Sequence, residues 1–390
     1  MLIFHQIGML LSSSRLLIIM RMPLYSRFSP LTLALVSPLS FATGLNFWES
    51  STSNSALASA NGAKAVDASI LATAPSSMTQ LKKTTVTANV TYYQVTTDYN
   101  IFGTESQKSQ ASPIPAGFMV TPINDNWYFG LAAYSRTAAD ISLPDLAPLP
   151  ISDLKETRVR PIVVSLAPSL AYQYNDVSIA LTAEYLYGDY LLEQKSCGLF
   201  QCNGTTETSG NTSGWSGALS ATWAVNQEFT LAIAHRFDSQ FGDDEVQFQL
   251  PSITSIYGTI QITEQLQWHN TFSLSRWNGQ GIHYNNYSDP VGLLQGHRHS
   301  KRVGTSMSYD WNKLTLRGGV SADEAIDSYG GNDIRYRIGL AYRFTQNLTF
   351  DVAGFKEDYA EKQFSDGKQT LVNVSNSGVG VSVGLSYKFN

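Results

Sequence analysis

The segment from Val379 to Phe389 alternates strictly between apolar and small or polar side chains. One set consists of Val379, Val381, Val383, Leu385, Tyr387 and Phe389, and the other of Gly380, Ser382, Gly384, Ser386 and Lys388. A period of two indicates a β-strand, because successive side chains leave opposite faces of the pleat. A strand of about ten residues with one apolar face and aromatic residues at its end is typical of a transmembrane β-barrel.

The same ending recurs upstream, where alternating runs close on aromatic residues and are followed by a short Asn- or Asp-containing turn. The four cases are Tyr172 and Tyr174 before Asn175, Trp223 before Asn226, Tyr309 and Trp311 before Asn312, and Tyr342 and Phe344 before Asn347. Aromatic rings favour the membrane–water boundary, and short turns on one rim are typical of outer-membrane barrels. A soluble all-β protein with aromatic-rich strands is the alternative, although its strands are usually shorter.

The pattern predicts an all-β protein, a transmembrane antiparallel β-barrel of about fourteen strands that occupies residues 84–390. Strands are expected at about 84–97, 114–123, 127–137, 159–175, 177–193, 213–225, 228–249, 257–276, 281–288, 301–311, 313–323, 333–344, 347–360 and 371–389. Long external loops are expected at 103–113, 138–158, 195–213, 289–300, 324–333 and 361–370. The ninth strand runs into Asn285–Pro290, and without the hairpin of the eighth and ninth strands the count would be twelve.

The N-terminus predicts export. Residues 1–42 contain Arg15, Arg21 and Arg27 and no acidic residue, and an apolar stretch leads to Ser40-Phe41-Ala42. These features are typical of a signal peptide with a small-x-small cleavage site, so a mature start near Thr43 is expected. Removing three positive charges would take the formal net charge from -5 to about -8, which argues against a nucleic-acid partner.

The only cysteines, Cys197 and Cys202, lie five positions apart in a stretch rich in Gly, Asn and Thr. In an exported protein such a pair favours a disulfide, and two thiols are too few for structural zinc. We expect the bridge at the tip of a surface loop.

Residues 43–83 do not alternate and are rich in Ala, Ser, Asn and Gly. Small side chains suit a segment threaded into a confined space, so this segment is expected to form a hatch, a plug inside the barrel lumen. The alternative is a disordered N-terminal tail.

Several motifs resemble the FadL/TodX family of outer-membrane transporters for long-chain fatty acids and aromatic hydrocarbons. Leu45-Asn46 and the stretch from Ser59 through Gly62 and Asp67 to Pro75 are similar to the family's N-terminal hatch. Further similarity is found in Phe118–Asp125, in Ser275–Gln280 with Ile282–Tyr284, and in the terminal Tyr-Lys-Phe-Asn. One departure is Ala74-Pro75, where the family usually has Asn-Pro.

The resemblance implies passive, outer-membrane transport of a long-chain fatty acid or another hydrophobic small molecule, with Leu45, Asn46, Gly62, Asp67 and Pro75 in the gating hatch. Lys195, Arg298 and Lys301 lie roughly where the family carries cations for a carboxylate head, although each is equally suited to holding a lipopolysaccharide phosphate. The expected partners are lipopolysaccharide, outer-membrane lipid and the barrel-assembly machinery. The protein is expected to be a monomer.

Other functions are weighed against this interpretation. The sequence has no Gly-x-Ser-x-Gly elbow and no evident nucleophile for its histidines, so no enzyme and no cofactor are expected. His297 and His299 fit a solvated basic loop, and Asp243-Asp244-Glu245 fits a charged strand end, better than metal sites. A general diffusion porin for small hydrophilic solutes is the rival, although porins usually carry charged residues across a water-filled constriction. A structural or adhesive surface barrel is also compatible with the sequence.

Overall fold

The computed structural model describes residues 47–101, 103–143, 156–197, 202–286, 294–327, 330–365 and 370–390. Among the described residues, three short helices precede the strands: α1 (Thr52–Ala56) and two 3₁₀ helices at Ala68–Ala72 and Pro75–Gln80. No helix among the described residues has both the length and the apolar character to cross a bilayer. The predicted signal peptide, residues 1–42, lies outside the described residues.

The remaining described residues form β-strands and the segments between them. The strands are β1 (Thr85–Ile101), β2 (Thr104–Pro122), β3 (Trp127–Ala138), β4 (Ile141–Leu143), β5 (Glu156–Val159), β6 (Ile162–Tyr174), β7 (Val177–Cys197), β8 (Cys202–Ala224), β9 (Phe229–Arg236), β10 (Ser239–Gly242), β11 (Val246–Leu250), β12 (Ile253–Gln261), β13 (Leu266–Ser275), β14 (Gly281–Tyr284), β15 (Ser300–Trp311), β16 (Leu314–Glu324), β17 (Asn332–Arg343), β18 (Leu348–Asp358), β19 (Lys362–Ser365) and β20 (Thr370–Lys388).

Fourteen antiparallel strands close into a barrel, which confirms the predicted fold class. The wall runs in the order β1-β2-β3-β6-β7-β8-β9-β12-β13-β15-β16-β17-β18-β20, with β4, β5 and β19 as extensions at one rim. The first and last strands pair from Thr85↔Lys388 to Ile101↔Val372. Closure leaves neither strand as an open edge, as a wall in lipid requires.

The alternation of the last strand is arranged as predicted. Val381, Val383 and Leu385 are exposed on the outer surface, whereas Ser382 and Ser386 are buried on the inner side. On the same outer surface, aromatic residues gather at the rim of short turns, among them Trp127, Tyr174, Trp223, Trp311 and Phe389.

The turns at this rim follow from the Asn residues singled out in the sequence. Asn175 and Asn312 have positive φ angles of 50° and 57°, in the left-handed region that Asn tolerates better than most residues. Each begins a two-residue connection, one between the paired Tyr174 and Val177 and the other between Trp311 and Leu314. Turns of this kind match the twist of the flanking strands.

Three predicted strands are wrong, and the first two errors offset each other in the number of wall strands. Residues 257–276 are not one strand but parts of the hairpin β12–β13, because Thr263 Oγ1 accepts backbone N–H bonds from Gln265 and Leu266 and closes a turn. The predicted ninth strand, 281–288, contributes only β14, which pairs with β11 in a separate three-stranded sheet. The predicted strand 228–249 likewise divides into β9, β10 and β11.

Two predicted loops, 103–113 and 195–213, are largely strand. The hairpin β1–β2 stays in register to Ile101↔Thr104, and β7–β8 continues to Cys197↔Cys202. These extensions carry few apolar residues because they lie beyond the hydrocarbon region of the bilayer, where the outward side chains face water. Hydrophobic alternation therefore marks only the part of each strand in lipid.

We predict that Val383→Arg destabilises the barrel by about 2–4 kcal/mol, because it places a charge in the middle of the exposed apolar run. Ser375→Arg is the matched control, since Ser375 is exposed on the same strand nearer the long-loop rim. Urea unfolding in lipid vesicles measures both variants, and equal stability of the two would contradict the assigned orientation.

Candidate functional site

The hatch lies against the inner wall of the barrel. Ile70, Leu71 and Met78 form one buried apolar cluster with Phe118 and Tyr128 of the wall. The side chains from Thr52 to Ala63 are almost completely buried. The lumen at this level is filled by the chain itself.

Glycine residues permit the close approach between hatch and wall. A Cβ atom on Gly62 of the hatch would lie 2.5 Å from the ring of Tyr257, and one on Gly130 of β3 would lie 2.5 Å from Leu71 Cδ2. Gly384 is similarly placed, with its Cβ position 2.8 Å from Thr52 Oγ1. The small residues of the sequence thus mark contacts between the hatch and the wall.

Hydroxyl groups supply most of the hydrogen bonds between the hatch and the wall. Thr52 Oγ1 lies 2.7 Å from Ser382 Oγ, and Thr79 Oγ1 donates to Ser178 Oγ at 3.1 Å. Ser76 Oγ lies 2.7 Å from Thr222 Oγ1. Bonds between neutral groups contribute only about 0.5–1.5 kcal/mol each, so they can be exchanged singly.

Charged groups of the wall hold the N-terminal part of the hatch more tightly. Arg337 Nη2 donates to the carboxylate of Glu49, and Arg302 Nη2 donates to the carbonyl oxygen of Ala58 at 2.6 Å. The Arg302 guanidinium also lies 4.6 Å from the ring centre of Trp48. These bonds involve ionised groups and are roughly twice as strong as neutral ones.

The same arginines belong to a buried network on β15–β18. Arg335 Nε lies 3.3 Å from Glu357 and 3.6 Å from Asp323, and Arg302 Nε lies 3.0 Å from Asp323. All four side chains are nearly inaccessible to solvent. The hydroxyls of Tyr93 and Tyr359 both donate to Glu357 Oε2 at 2.6 Å, which fixes this carboxylate on the wall.

A second buried cluster surrounds a β-bulge in β3. The register between β3 and β6 shifts between Ser135 and Thr137, and the extra residue is Arg136. Arg136 Nη1 lies 2.5 Å from Glu184 Oε2, while Arg236 Nε lies 3.2 Å from the other oxygen of the same carboxylate. The carbonyl oxygen of Arg136 accepts the N–H of Phe47 at 3.1 Å. The bulge is therefore bonded both to the wall and to the beginning of the described hatch.

Next to this bulge the barrel wall has a window, a gap between β2 and β3. The ladder between these strands runs from Pro122↔Tyr128 only as far as Gly117↔Ala133. Further along β2, Pro113 and Pro115 lack the N–H that a strand partner would need. Above the gap, Gln110 Nε2 donates to Ser142 Oγ at 3.2 Å.

The window opens into a cavity of about 460 Å³ with a mostly apolar lining. Ile114 and Tyr93 line its inner part, and Pro115, Ile162 and Val164 are among its other lining residues. A smaller cavity of about 50 Å³ separates hatch and wall at Trp48, Leu71, Tyr134, Arg236 and Tyr257. The geometry offers an apolar side exit beside a nearly filled lumen.

Beyond the membrane, the sheet β10–β11–β14 covers an apolar cluster that includes Phe241, Phe248 and Leu192. Asp243 begins the β10–β11 turn, with its Oδ1 accepting N–H bonds from Glu245 and Val246, both at 2.9 Å. Burial disfavours the charged form of the Asp243 carboxyl. The hydrogen bond donated by the Tyr190 hydroxyl at 2.8 Å and the two backbone bonds favour the charged form more strongly, so the pKa of Asp243 is lowered. In the acidic run Asp243-Asp244-Glu245, Asp243 therefore stabilises the turn between β10 and β11.

The predicted hatch residues are placed as follows. Leu45 and Asn46 lie outside the described residues. Asp67 caps the first 3₁₀ helix, with Oδ1 accepting the Ser69 N–H at 2.8 Å, and Pro75 begins the second. Ala74 precedes that helix without a side-chain cap, so the departure from Asn-Pro leaves this N-terminus without a capping side chain.

The predicted carboxylate-binding residues lie on or beside different strands. Lys195 on β7 lies 3.9 Å from Glu193, and Lys301 on β15 faces outward 3.6 Å from Glu324. Arg298 lies beside the Gly330 backbone, between β14 and β15. Their role as ligand contacts stays a prediction. So does the disulfide, because the side chains of Cys197 and Cys202 lie outside the described residues.

The buried acids and arginines were missed by sequence reasoning, although a signal was present. Arg335 and Arg337 alternate with the outward Ile334, Tyr336 and Ile338, so their inward direction follows from the strand pattern. A charged residue at an inward position of a plugged barrel needs a partner, because an unpaired buried charge is costly.

A closed fourteen-stranded barrel with an apolar outer face, a polar inner face and an N-terminal segment against its inner wall defines an outer-membrane β-barrel protein. Residues 33–241 match the sequence profile of the family described as outer membrane protein transport protein (OMPP1/FadL/TodX), and this chain belongs to that family. It is a protein of the bacterial outer membrane.

The chain is similar in sequence to one known outer-membrane protein and in fold to several solved structures. Outer membrane protein P1 of Haemophilus influenzae is 26% identical over 140 residues, which cover 32% of this chain and 30% of that protein's length. A crystal structure of a Pseudomonas aeruginosa FadL homologue covers 89% of this chain and 100% of its own, with 15% identity and a TM-score of 0.74. The P. putida toluene transporter TodX covers 90% of this chain and 99% of its own, with 14% identity and a TM-score of 0.70. At these identities the structural similarity establishes the fold alone.

We predict that Gly62→Ala loosens the hatch, because the added methyl group overlaps the buried ring of Tyr257; overpacking typically costs about 1–3 kcal/mol. Gly258→Ala is the control, since its Cβ would meet nothing closer than 3.6 Å. Limited proteolysis of the purified protein measures access to the hatch. Equal cleavage of the two variants would contradict the close packing.

We predict that Glu184→Gln destabilises the protein by about 3–5 kcal/mol, because it leaves Arg136 and Arg236 buried without a carboxylate. Glu193→Gln is the control: its partner Lys195 is 41% exposed, and surface pairs contribute about 0–1 kcal/mol. Urea unfolding provides the measurement, and similar midpoints for the two variants would show that the buried pair contributes little.

Proposed function

We propose that this protein carries hydrophobic compounds, long-chain fatty acids in particular, across the outer membrane by passive diffusion. The observation that carries the proposal is the apolar window between β2 and β3, which lies beside a lumen filled by the hatch. Membership of the OMPP1/FadL/TodX family and the toluene transport stated for TodX support the choice of a hydrophobic substrate.

The physical reason is the cost of exposing an apolar ligand to water, about 25 cal/mol per Å². A route straight through a wide aqueous pore would incur this cost along its whole length. A route from an apolar pocket through the window into the surrounding lipid avoids it, because the ligand exchanges one apolar environment for another. Diffusion down a gradient then needs no energy coupling and no catalytic step.

A general diffusion porin fits the interior less well. Its solutes need a continuous aqueous path, whereas here hatch and wall are joined by short hydroxyl bonds such as Thr52–Ser382, and the cavity between them at Trp48 and Leu71 measures only about 50 Å³. Movement of the hatch is therefore part of the proposal: Leu45, Asn46, Gly62, Asp67 and Pro75 belong to the segment that gates passage.

Several further assignments belong to the same proposal. The protein is made with a signal peptide at residues 1–42, is inserted by the barrel-assembly machinery, and functions as a monomer among lipopolysaccharide and outer-membrane lipid. Lys195, Arg298 and Lys301, at or beyond the long-loop rim, are candidates for the first contact with a carboxylate head.

We predict that joining hatch and wall by a disulfide stops transport. The pair Thr52→Cys and Ser382→Cys suits this purpose, because the two hydroxyl oxygens lie 2.7 Å apart. Thr91→Cys with Ser382→Cys is the control: these oxygens are 2.9 Å apart, but both belong to the wall. Uptake of labelled oleate into cells is measured before and after reduction.

The expected result is loss of uptake only in the oxidised hatch-to-wall variant, with recovery on reduction. Uptake that persists with a locked hatch would contradict gating by the hatch. Planar-bilayer conductance tests the wider proposal, since large steady ion currents from the intact protein would identify it as a porin.

A further inference from the structure

The hatch inserts a single acid, Glu49, between two arginines of the barrel wall. Glu49 Oε1 is hydrogen-bonded to Arg337 Nη2 and lies 3.8 Å from Arg335 Nη1. The Glu49 side chain is 4% exposed and the two arginine side chains 0% and 3%. Arg335 and Arg337 both belong to β17, so the site is built on a rigid part of the barrel.

Glu49 differs from the other acids of this network in how it is held. Glu357 and Asp323 are part of barrel strands, as is the neighbouring Asp333, and Glu357 is fixed by two tyrosine hydroxyls. Glu49 instead lies before α1, in a segment outside the helices and strands. Unlike those strand residues, Glu49 can leave the arginines without breaking the barrel ladder.

An aromatic surface connects the window to this site. Tyr93 lines the window cavity, and its ring centre lies 5.7 Å from that of Phe355. The Arg337 guanidinium lies 5.7 Å from the Phe355 ring centre, and Phe47, two residues before Glu49, lies 6.1 Å from Tyr93. An acyl chain along these rings would bring its head to Arg337.

Arg337 also has a donor to spare: among the described residues, its buried Nε finds no hydrogen-bond acceptor. A carboxylate has two oxygens and about four lone-pair sites, so a ligand carboxylate can engage this donor as well as Nη2.

We propose that Arg335 and Arg337 bind the carboxylate of an amphiphilic ligand, and that Glu49 occupies this site until the ligand's carboxylate replaces it. The inference rests on the proposed transport function and names the class of ligand, an acid with an apolar chain. Exchange of one carboxylate for another keeps the buried arginines paired. A neutral hydrocarbon offers no such replacement, so it does not release the hatch by this route.

Ligand binding and hatch release are thereby coupled through one site. A ligand shifts a conformational equilibrium only by its differential affinity for the two states. Here the difference arises because the acid binds well only where Glu49 has left. Removing the competing charge should therefore tighten binding of acids and leave that of neutral analogues unchanged.

The test compares oleate with oleyl alcohol, which has the same chain and no carboxylate. Binding to the full-length purified protein is measured by titration in a non-ionic detergent. Glu49→Gln keeps the shape of the side chain and removes its charge, and Glu49→Gln with Arg337→Gln removes one charge of each sign. Glu228→Gln, at an exposed acid in the short turn between β8 and β9, is the control variant.

Glu49→Gln is expected to lower the Kd for oleate about 5- to 150-fold, the usual range for coupled sites, with no change for oleyl alcohol. The double variant is expected to lose this gain. An unchanged Kd for oleate, or an equal change for acid and alcohol, would overturn the proposal.

Cellular uptake of both compounds separates this inference from the proposed function. If wild-type cells take up oleyl alcohol and oleate through the protein but Glu49→Gln alters neither binding constant, only the carboxylate site is wrong. If the protein promotes uptake of neither compound, the proposed function itself fails.

Discussion

The structure depends on one constraint: a backbone inside a bilayer must satisfy its own hydrogen bonds, because lipid offers no partners. The pairing of β1 with β20 meets it by removing both open edges. Closure then dictates the rest of the pattern, since each wall strand presents alternate residues to lipid and to the lumen. The outer set is apolar and ends in aromatic residues, as Val383 and Phe389 illustrate.

A closed barrel also encloses an interior, and in this protein the N-terminal segment occupies part of it. Close contact at Gly62 and Gly384 needs residues without side chains, and the hydroxyl pairs need short polar ones. The few strong contacts of this segment are charged, and they concentrate where Glu49 and the Ala58 carbonyl meet the wall arginines. The interior therefore combines many weak contacts with a small number of electrostatic ones, an arrangement that suits a plug that moves.

The window is a local exception to complete pairing, and its composition limits the cost. Pro113 and Pro115 have no N–H to leave unsatisfied, and the bulge at Arg136 lies just past Ala133, where the pairing of β3 with β2 ends. The carboxylate of Glu184 compensates the positive charge of Arg136, the extra residue of the bulge. The backbone N–H of Phe47 donates to the carbonyl oxygen of Arg136. The gap, the buried ion pair and the start of the hatch are thus parts of one assembly.

The fold was predictable from local sequence because the bilayer imposes a period of two that is visible residue by residue. The alternation at Val379–Phe389 and the turn residues Asn175 and Asn312 are cases in which neighbouring positions carry the whole signal. Strands outside the lipid lack this signal, because their outward positions need not be apolar. For this reason the alternation does not predict the outer parts of β1 and β2, or that Gly281–Tyr284 joins a separate sheet. The site was less predictable, since Glu49 and Arg337 are separated by most of the chain and meet only when the hatch is inside the barrel.

Sequence determines which side of a strand a residue faces, because that depends on parity alone. Only the tertiary structure decides which charges face each other across the lumen, because that depends on closure, strand register and the path of the hatch together.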